Sequence, residues 1–403
     1  MRGVMGIGLF LACLLAPAGA SAPQPVSRLP VAYWKLDEAA GPTSFASIGS
    51  SHGVWNGTPT PVSSPLPPLS YNTPDSRAIR LNGALPDDFI EIPSGPALDN
   101  LQEGSYSISA WIRPASVPAG VGKAWNASCA LVMKKGYHSG LRYGSGRHVQ
   151  FDHWLSGGDQ PFSTAASSAA TSFVVQPDGA WRHVAGCWDR ANGIVRVYVD
   201  GVQRGSAPSA GGTWEYGANL WRIGIAIPGN GVDYSWPYDG MIDDVRMYNF
   251  ALDAQQAGIL AAGVPPPAAV TATPGIQEVT LSWTPPEPAG YPYTYKISRS
   301  ADGGAFTLLE HNATGSSYVD TTAITPNGLG PTYTYQIVAV SVAESGPATS
   351  AGAIPLLPDP RTKDHEEGLF GDNCACGAAI VRPGAAVLAL LAALTLLALR
   401  RVQ

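Results

Sequence analysis

Two aromatic stretches carry the side chains of this sequence that are best suited to holding a ligand. Residues 233–239 read Asp-Tyr-Ser-Trp-Pro-Tyr-Asp, and residues 214–216 read Trp-Glu-Tyr. Aromatic rings stack on the flat faces of sugar rings, and nearby carboxylates accept hydrogen bonds from hydroxyl groups. In the alternative interpretation, these rings only cover the edge of a sheet. We predict a ligand-binding site made of Trp214, Tyr216, Asp233, Tyr234, Trp236, Tyr238 and Asp239.

The acidic residues do not form the pairs that sugar hydrolysis requires. A glycosidase places two carboxylates on either side of the sugar bond, and no strand-like run of this sequence carries such a pair. Asp243 and Asp244 are adjacent, and neighbouring residues of a strand point to opposite faces. His183 lies in a strand-like phrase, and we expect it to be structural. The prediction is therefore a protein that is not an enzyme, with polysaccharide hydrolysis as the weakest alternative.

The elements that position these side chains are expected to be strands. The 46 glycines and 36 prolines among 403 residues disfavour long helices. Eleven tryptophans need a core or a ligand to cover them. Four of them fall on strand-like runs and are expected in a core, namely Trp34, Trp111, Trp181 and Trp188. Trp221 is grouped with the loop aromatics. The net charge is −6 and there is no basic stripe, so we expect no nucleic-acid partner.

Apolar residues alternate with polar ones in two blocks, residues 29–262 and 268–354. Between them, prolines at 265–267 form a stiff, extended spacer. Asp200-Gly201 predicts a tight hairpin. One helical pattern, residues 252–262, places three apolar side chains on one buried face, namely Leu252, Ile259 and Leu260.

The first twenty residues have the pattern of a signal peptide, with Arg2 before an apolar run and a cut after Ala20. Export would permit disulfides. Cys129 and Cys187 both fall on predicted strands, and whether they are bonded or free stays open at this point.

The C-terminal end has an acidic stretch, then Cys374 and Cys376, then an apolar segment that ends in two arginines. This order resembles the sorting tails of Gram-negative bacteria, especially the myxobacterial type. The resemblance implies that a cysteine of this pair is the processing or attachment point at the cell surface or outer envelope. The alternative is a plain membrane anchor with the arginines inside.

Five phrases of the first block follow one another in the order of a known family. They are Tyr-Trp-Lys-Leu-Asp-Glu at 33, Ser-Ile-Ser-Ala-Trp-Ile at 107, Trp-Arg-His-Val-Ala-Gly at 181, Val-Tyr-Val-Asp-Gly at 197 and Gly-Met-Ile-Asp-Asp-Val-Arg-Met-Tyr at 240. This set resembles the laminin-G-like, concanavalin A-like jelly roll. The resemblance implies two packed antiparallel sheets that bind carbohydrate or protein. It also implies a Ca²⁺ ion at Asn82 and Asp243, although the early acidic loop of the family reads Ala-Ser-Ile-Gly at 46–49.

The second block resembles a fibronectin type III domain, through Trp283 on an early strand and Tyr-Thr-Tyr-Gln-Ile from Tyr333. The resemblance implies an immunoglobulin-like sandwich with Trp283 between its sheets and the Tyr333 hydroxyl bonded to nearby backbone. The expected fold class is therefore all-β. The expected order is a signal peptide (1–20), a jelly roll (29–262), a proline linker (263–267), a fibronectin type III domain (268–354), a stalk (355–376) and an anchor or sorting tail (377–401).

These features together predict an exported, surface-tethered protein that recognises a polysaccharide or a surface protein through the jelly roll. The C-terminal segment would contact the membrane. The alternative is a purely structural envelope or matrix protein whose jelly roll binds nothing small.

Overall fold

The computed structural model describes residues 28–69, 72–83, 88–117, 128–134, 139–144, 146–154, 162–166, 174–208, 220–225, 237–288, 291–324 and 330–358. Strands dominate this part of the chain, which confirms the all-β class. Its helices are short: α1 (Pro96–Asp99), α2 (Ala254–Ala262) and a 3₁₀ turn (Leu101–Glu103).

Two antiparallel sheets form a jelly roll. In the described residues, sheet A has nine strands: β1 (Ala32–Trp34), β3 (Ala46–Ile48), β5 (Thr60–Val62), β6 (Ala78–Asn82), β8 (Tyr106–Pro114), β13 (Arg182–Asp189), β14 (Ile194–Val199), β15 (Val202–Pro208) and β17 (Asp239–Tyr248). Sheet B has eight: β2 (Thr43–Ser44), β4 (Gly53–Asn56), β7 (Phe89–Ile92), β9 (Ser128–Lys134), β10 (Ser139–Gly144), β11 (Val149–Trp154), β12 (Phe162–Ala166) and β16 (Trp221–Ile223).

The order of sheet A is β15-β14-β13-β8-β17-β1-β3, and β6 pairs with the first half of β17 and with β5. The order of sheet B is β12-β11-β10-β9-β16-β7-β4-β2. Alternate residues of each sheet fill the space between the two sheets. At Gly186 the sheets approach so closely that a Cβ would lie 2.2 Å from the Phe151 ring. Only glycine, which has no Cβ, therefore fits where these two sheets come so close together.

The local predictions within this block hold. Asp200 and Gly201 have φ of 50° and 76°, as a tight hairpin between β14 and β15 requires. The predicted helix begins at Ala254, because Asp253 is its N-cap and forms a capping box with Gln256. Leu252, Ile259 and Leu260 are buried as expected.

The four tryptophans that were expected in the core divide between the core and the outer face of sheet A. Trp34 and Trp188 lie between the sheets. Trp111 is buried on the opposite face, and Trp181 is half-buried with its Nε1 donating to the Pro65 carbonyl at 3.1 Å. Trp221 is fully buried in β16 and belongs to the core, so grouping it with the loop aromatics was wrong.

The second block is a smaller sandwich. In the described residues, one sheet has the order β18-β19-β22 and the other β21-β20-β23-β24. The strands are β18 (Ala268–Gly275), β19 (Glu278–Thr284), β20 (Thr294–Ala301), β21 (Thr307–Ala313), β22 (Ser317–Asp320), β23 (Tyr333–Val340) and β24 (Ala348–Thr349). Trp283 of one sheet packs edge-on against Tyr295 of the other, with centroids 4.9 Å apart. The Tyr333 hydroxyl donates to the Ile324 carbonyl at 3.2 Å, which is the backbone bond that the resemblance implied.

The second sandwich packs directly on the outer face of sheet A. Cys187 and Tyr248 of that face share one apolar cluster with α2 and with core residues of the second sandwich. The Tyr248 hydroxyl donates to the Val342 carbonyl at 3.0 Å. The prolines at 265–267 therefore join two sandwiches in contact, where we had expected a spacer that holds them apart.

The expected signal peptide, Cys374, Cys376 and the apolar tail lie outside the described residues. Within the part of the chain that the structure describes, no helix is long and apolar enough to cross a membrane.

Candidate binding site

Two of the seven predicted ligand-binding residues can be placed. The other five, Trp214, Tyr216, Asp233, Tyr234 and Trp236, lie outside the described residues. Tyr238 is fully buried in the jelly-roll core, and its hydroxyl donates to the Met241 carbonyl at 3.3 Å. Its ring cannot offer a face to a sugar, so the prediction for Tyr238 is corrected: it is a core residue.

Asp239 begins β17 and stays near the surface. Its Oδ1 accepts a hydrogen bond from Arg80 Nη2 at 2.6 Å, and both side chains are about 30% exposed (30% and 28%). The carboxylate therefore has a cation partner within the protein, at an end of the sheet that solvent reaches.

The two residues expected to hold calcium do not form one site. Asn82 faces Asp239 across the β6–β17 pair, whereas Asp243 faces Trp111 across the β17–β8 pair. Four residues of strand separate the two positions, which is roughly 13 Å at about 3.3 Å per residue. In the described chain, no group of three or more His, Cys, Asp or Glu is arranged to hold a metal. This pair does not fit a calcium ion.

Cys129 and Cys187 are both on strands, as predicted, but they are free thiols. Cys129 points between the two sheets, and Cys187 points away from them into the cluster shared with the second sandwich. Sheet A therefore separates the two sulfur atoms, so the question that the sequence left open is answered: the two cysteines are not bonded to each other. Burial raises the pKa of both thiols, which makes them unreactive.

In the described residues, a cleft lies between the two sandwiches. Its floor is built on β1 and β17, which pair antiparallel with Tyr33 opposite Arg246. The register of β17 against β8 shifts between Asp243 and Arg246, and Asp244 has a left-handed φ of 56°. This bulge redirects Asp244 so that one carboxylate reaches both Tyr33 and Arg246.

Three side chains of the floor bind one another tightly. The Tyr33 hydroxyl donates to Asp244 Oδ1 at 2.5 Å, and Arg246 forms an ion pair with the same carboxylate. The Arg246 guanidinium carbon lies 4.3 Å from the centre of the Tyr33 ring, in cation–π geometry. The side chains of Arg246 and Asp244 are only 4% and 2% exposed. The charge pair is thus desolvated, and its geometry is fixed from three directions.

Burial favours the neutral forms of the neighbouring titratable groups. The pKa of Asp243 is raised well above its ordinary value, first because it is buried and then because Asp244 and Asp37 repel its negative charge. The pKa of His183 falls to about 3 through burial, and Arg246 adds repulsion. His183 packs against Trp111 with ring centroids 5.5 Å apart, in agreement with the structural role predicted for it.

The walls of the cleft come from both sandwiches. Lys35 follows the floor along the chain and is exposed. On the opposite side, Lys296 of β20 forms an ion pair with Glu344, and their side chains are 33% and 37% exposed. The cleft has a volume of about 420 Å³. A volume of this size lies within the range of small-ligand sites, about 300–1,000 Å³.

The sequence singled out Asp244 and Arg246 only as parts of a strand phrase. It gave no sign that Lys296 and Glu344 face them, because a contact over that chain separation follows from docking of the sandwiches and not from local periodicity. The sequence feature that could have pointed to this group is the pair of adjacent aspartates, Asp243 and Asp244. Two neighbouring acids within an apolar strand need hydrogen-bond or charge partners, or a changed pKa.

Residues 82–258 match the laminin G family model described as the concanavalin A-like lectin/glucanases superfamily. This part of the chain is therefore a concanavalin A-like jelly-roll domain. No curated protein matches the sequence.

Solved structures resemble the chain only loosely. Domain 4 of AbnA, an extracellular arabinanase from Geobacillus stearothermophilus solved with arabinotriose, is 20% identical and has a TM-score of 0.38; the match covers 59% of this chain and all (100%) of that one. The binding domain of botulinum neurotoxin serotype D/C is 10% identical over 78% of this chain and 72% of its own, with a TM-score of 0.41. Scores this low carry no argument about a ligand.

Proposed function

We propose that this protein is an exported, non-enzymatic recognition protein that binds carbohydrate or a surface protein through its jelly roll. The observation that supports this most is the cleft of about 420 Å³ above Tyr33, Asp244 and Arg246. Its floor is a hydrogen-bonded network on two strands, and its rim carries charged side chains that solvent reaches. Binding sites are built in this way, with a rigid support and a few polar groups at the surface.

The remaining parts of the proposal concern how the jelly roll is presented. The second sandwich is a fibronectin type III domain, an assignment that the Trp283–Tyr295 contact and the Tyr333 backbone bond support. The stalk and the apolar tail tether the chain at the cell surface or outer envelope, with Cys374 or Cys376 as the processing point. The mass of the purified mature chain tests this tether, since an intact Gln403 would contradict a processed tail.

A glycan array with the full chain tests recognition. We expect saturable binding to a restricted set of polysaccharides. The Trp236→Ala variant, compared with wild type on the same array, tests the aromatic stretch predicted from the sequence, and unchanged binding would remove that stretch from the site. Binding of no glycan by the folded protein would contradict carbohydrate recognition and favour a structural role.

A further inference from the structure

The outer face of sheet B carries an exposed aromatic ring at the edge of the jelly roll. Phe45 directly follows β2, and its side chain is 59% exposed. The preceding Ser44 pairs with Gly53, whose inner side meets Ile90 of the core. Because side chains alternate along a strand, Phe45 points outward. Its ring meets the imidazole of His52 edge-on, with centroids 5.5 Å apart. A flat apolar surface is thus presented to solvent at a defined position.

His52 supplies a hydrogen-bond donor beside this ring. Its Nδ1 accepts a hydrogen bond from the Ala46 backbone amide at 3.0 Å. In the neutral imidazole the proton therefore lies on Nε2. The side chain is exposed, and the ring makes no second hydrogen bond to any residue that the structure describes. The Nε2–H group can therefore donate to a ligand that lies on the Phe45 ring.

Glu91 supplies an oriented acceptor on the same face. It lies in β7 between Ile90 and Ile92, which are core residues, so its side chain points outward. Arg222 Nε and Nη2 both donate to Glu91 Oε2, at 3.1 and 2.9 Å, and hold the carboxylate in one orientation. Among the described residues, Oε1 has no donor, and the side chain is one third exposed (33%). Oε1 is therefore available to a hydroxyl group from outside.

The ring, the donor and the acceptor lie close together on this face. Val54 of β4 is opposite Thr43 on one side and Glu91 on the other, and His52 stands two residues before it. His52 and Glu91 are therefore about 7 Å apart along the strands and about 4.8 Å apart across them. Val54 is exposed between them and adds an apolar floor. This combination suits a sugar, which has an apolar C–H face and hydroxyl groups around its edge.

We propose that this sheet B surface, made of Phe45, His52, Val54 and Glu91, binds a neutral sugar unit of a polysaccharide. The sugar stacks on the Phe45 ring, and its hydroxyl groups accept from His52 Nε2 and donate to Glu91 Oε1. Arg222 balances the charge of Glu91, so the contacts do not require a charged ligand. The cleft between the sandwiches lies on the other sheet, since β1 and β17 belong to sheet A. This inference rests on the proposed recognition function and adds a second contact surface and its ligand class.

Binding of neutral and acidic polysaccharides to the full chain tests the ligand class. Laminarin, galactan and dextran are the neutral probes, polygalacturonate is the acidic one, and affinity electrophoresis in native gels measures each dissociation constant. We expect at least one neutral probe to bind saturably. Binding of polygalacturonate alone would overturn this proposal and leave the recognition function standing. Binding of none of the four would also overturn it, and a glycan array without any ligand would overturn recognition as well.

Variants of the sheet B surface test the place of binding. Phe45→Ala should weaken binding of the neutral probe about tenfold, which is typical of a central aromatic contact. Phe45→Tyr keeps a ring and should bind as the wild type does. His52→Asn keeps an acceptor near the Nδ1 position but lacks the Nε2 donor, and it should weaken binding about threefold to tenfold. Phe306→Ala is the matched control, because it removes an exposed phenylalanine (40%) of the second sandwich and should change nothing.

A ring that only covers the sheet edge, or that docks a protein, would respond differently. Phe45→Ala and His52→Asn would then keep the wild-type affinity for the neutral probe. This result would overturn the sheet B surface and leave the recognition function standing. Equal weakening by Phe45→Ala and by Phe306→Ala would overturn it too, because the loss would not be specific to this face. Melting temperatures equal to that of the wild type show that a loss of binding is not a loss of folding.

Discussion

Each sandwich contains a tyrosine, an aspartate and an arginine that bind one another, but the surroundings of the aspartate differ between the two groups. In the second sandwich, Asp320 accepts hydrogen bonds from the Tyr335 hydroxyl and Arg299, at 2.9 and 2.8 Å. It also accepts from the Thr322 backbone amide and hydroxyl, at 2.9 and 2.6 Å. The carboxylate is thus enclosed by its own strand and the loop that follows.

In the jelly roll, Asp244 binds Tyr33 and Arg246 at a bulge, and the group forms the floor of a cleft. Arg246 is almost completely buried, whereas Arg299 keeps 22% of its side chain exposed. The difference teaches that the same three residue types can be enclosed within a domain or can form the floor of a cleft. The outcome depends on whether nearby residues of the chain fill all the hydrogen-bonding positions of the carboxylate, or whether the group faces another domain.

The largest effect is expected when each carboxylate is removed. Asp244→Ala leaves a buried guanidinium without its partner, which costs about 3–5 kcal/mol of folding free energy. Asp320→Ala leaves an arginine that can reach water, so the loss should be about 1–3 kcal/mol. Urea denaturation of both variants measures the difference. Equal losses would contradict the contrast between a closed group and a cleft floor.

The pH dependence of stability should have opposite signs at Asp243 and Asp320. Hydrogen bonds from Thr322, Tyr335 and Arg299 outweigh burial and lower the pKa of Asp320. Its contribution is therefore present above the unfolded pKa, about 3.9, and is lost as the pH falls through the folded pKa. Burial raises the pKa of Asp243, so its contribution is present below that unfolded pKa and is lost as the pH rises.

The two amide variants measure this directly. Relative to wild type, Asp320→Asn should be less stable at pH 7, and the gap should narrow as the pH falls below about 3.9. Asp243→Asn should gain in relative stability between pH 4 and pH 7, because asparagine lacks the carboxyl group that ionises more readily in the unfolded chain than in the folded one. Unfolding curves at pH 3, 4, 5 and 7 compare them, and parallel profiles for the two variants would be inconsistent with their different surroundings.

A smaller change in stability tests whether the two sandwiches unfold as one cooperative unit or as two. Tyr248→Phe removes a hydrogen bond between the sandwiches, and Tyr333→Phe removes one within the second sandwich. Each should cost about 1 kcal/mol. Because the sandwiches share a core cluster, we expect both variants to shift the same calorimetric transition. If each variant shifts a different transition, the two sandwiches unfold separately.

Local signals in the sequence predicted local structure well. The Asp200-Gly201 hairpin depends on two left-handed residues, and Asp253 with Gln256 sets the start of α2. Trp221 was missed because β16 has only three residues, too few for alternation to show. The hairpin and the helix start are thus determined by neighbouring residues of the chain and can be predicted. The short strand β16 is determined by the sheet around it and cannot.

Long-range placement could not be read from the sequence. The state of Cys129 and Cys187 could not be decided from the sequence because a strand residue points to one of two faces, and a shift of one residue reverses the choice. Tyr238 has the type of a stacking residue, but its backbone amide is bound to Gly224 at 2.7 Å and its ring enters the core. The cleft depends on how the second sandwich docks, which no local pattern encodes.

The central claim is that a ligand binds between the sandwiches and contacts both. Acylation of lysine side chains, read by mass spectrometry in the full chain, tests it at Lys35 and Lys296, which solvent reaches. A saturating glycan that the array identifies as a ligand should protect both lysines together, and a glycan that the array identifies as a non-binder should protect neither. Protection of only one lysine, or of neither while the glycan is bound, would contradict the account.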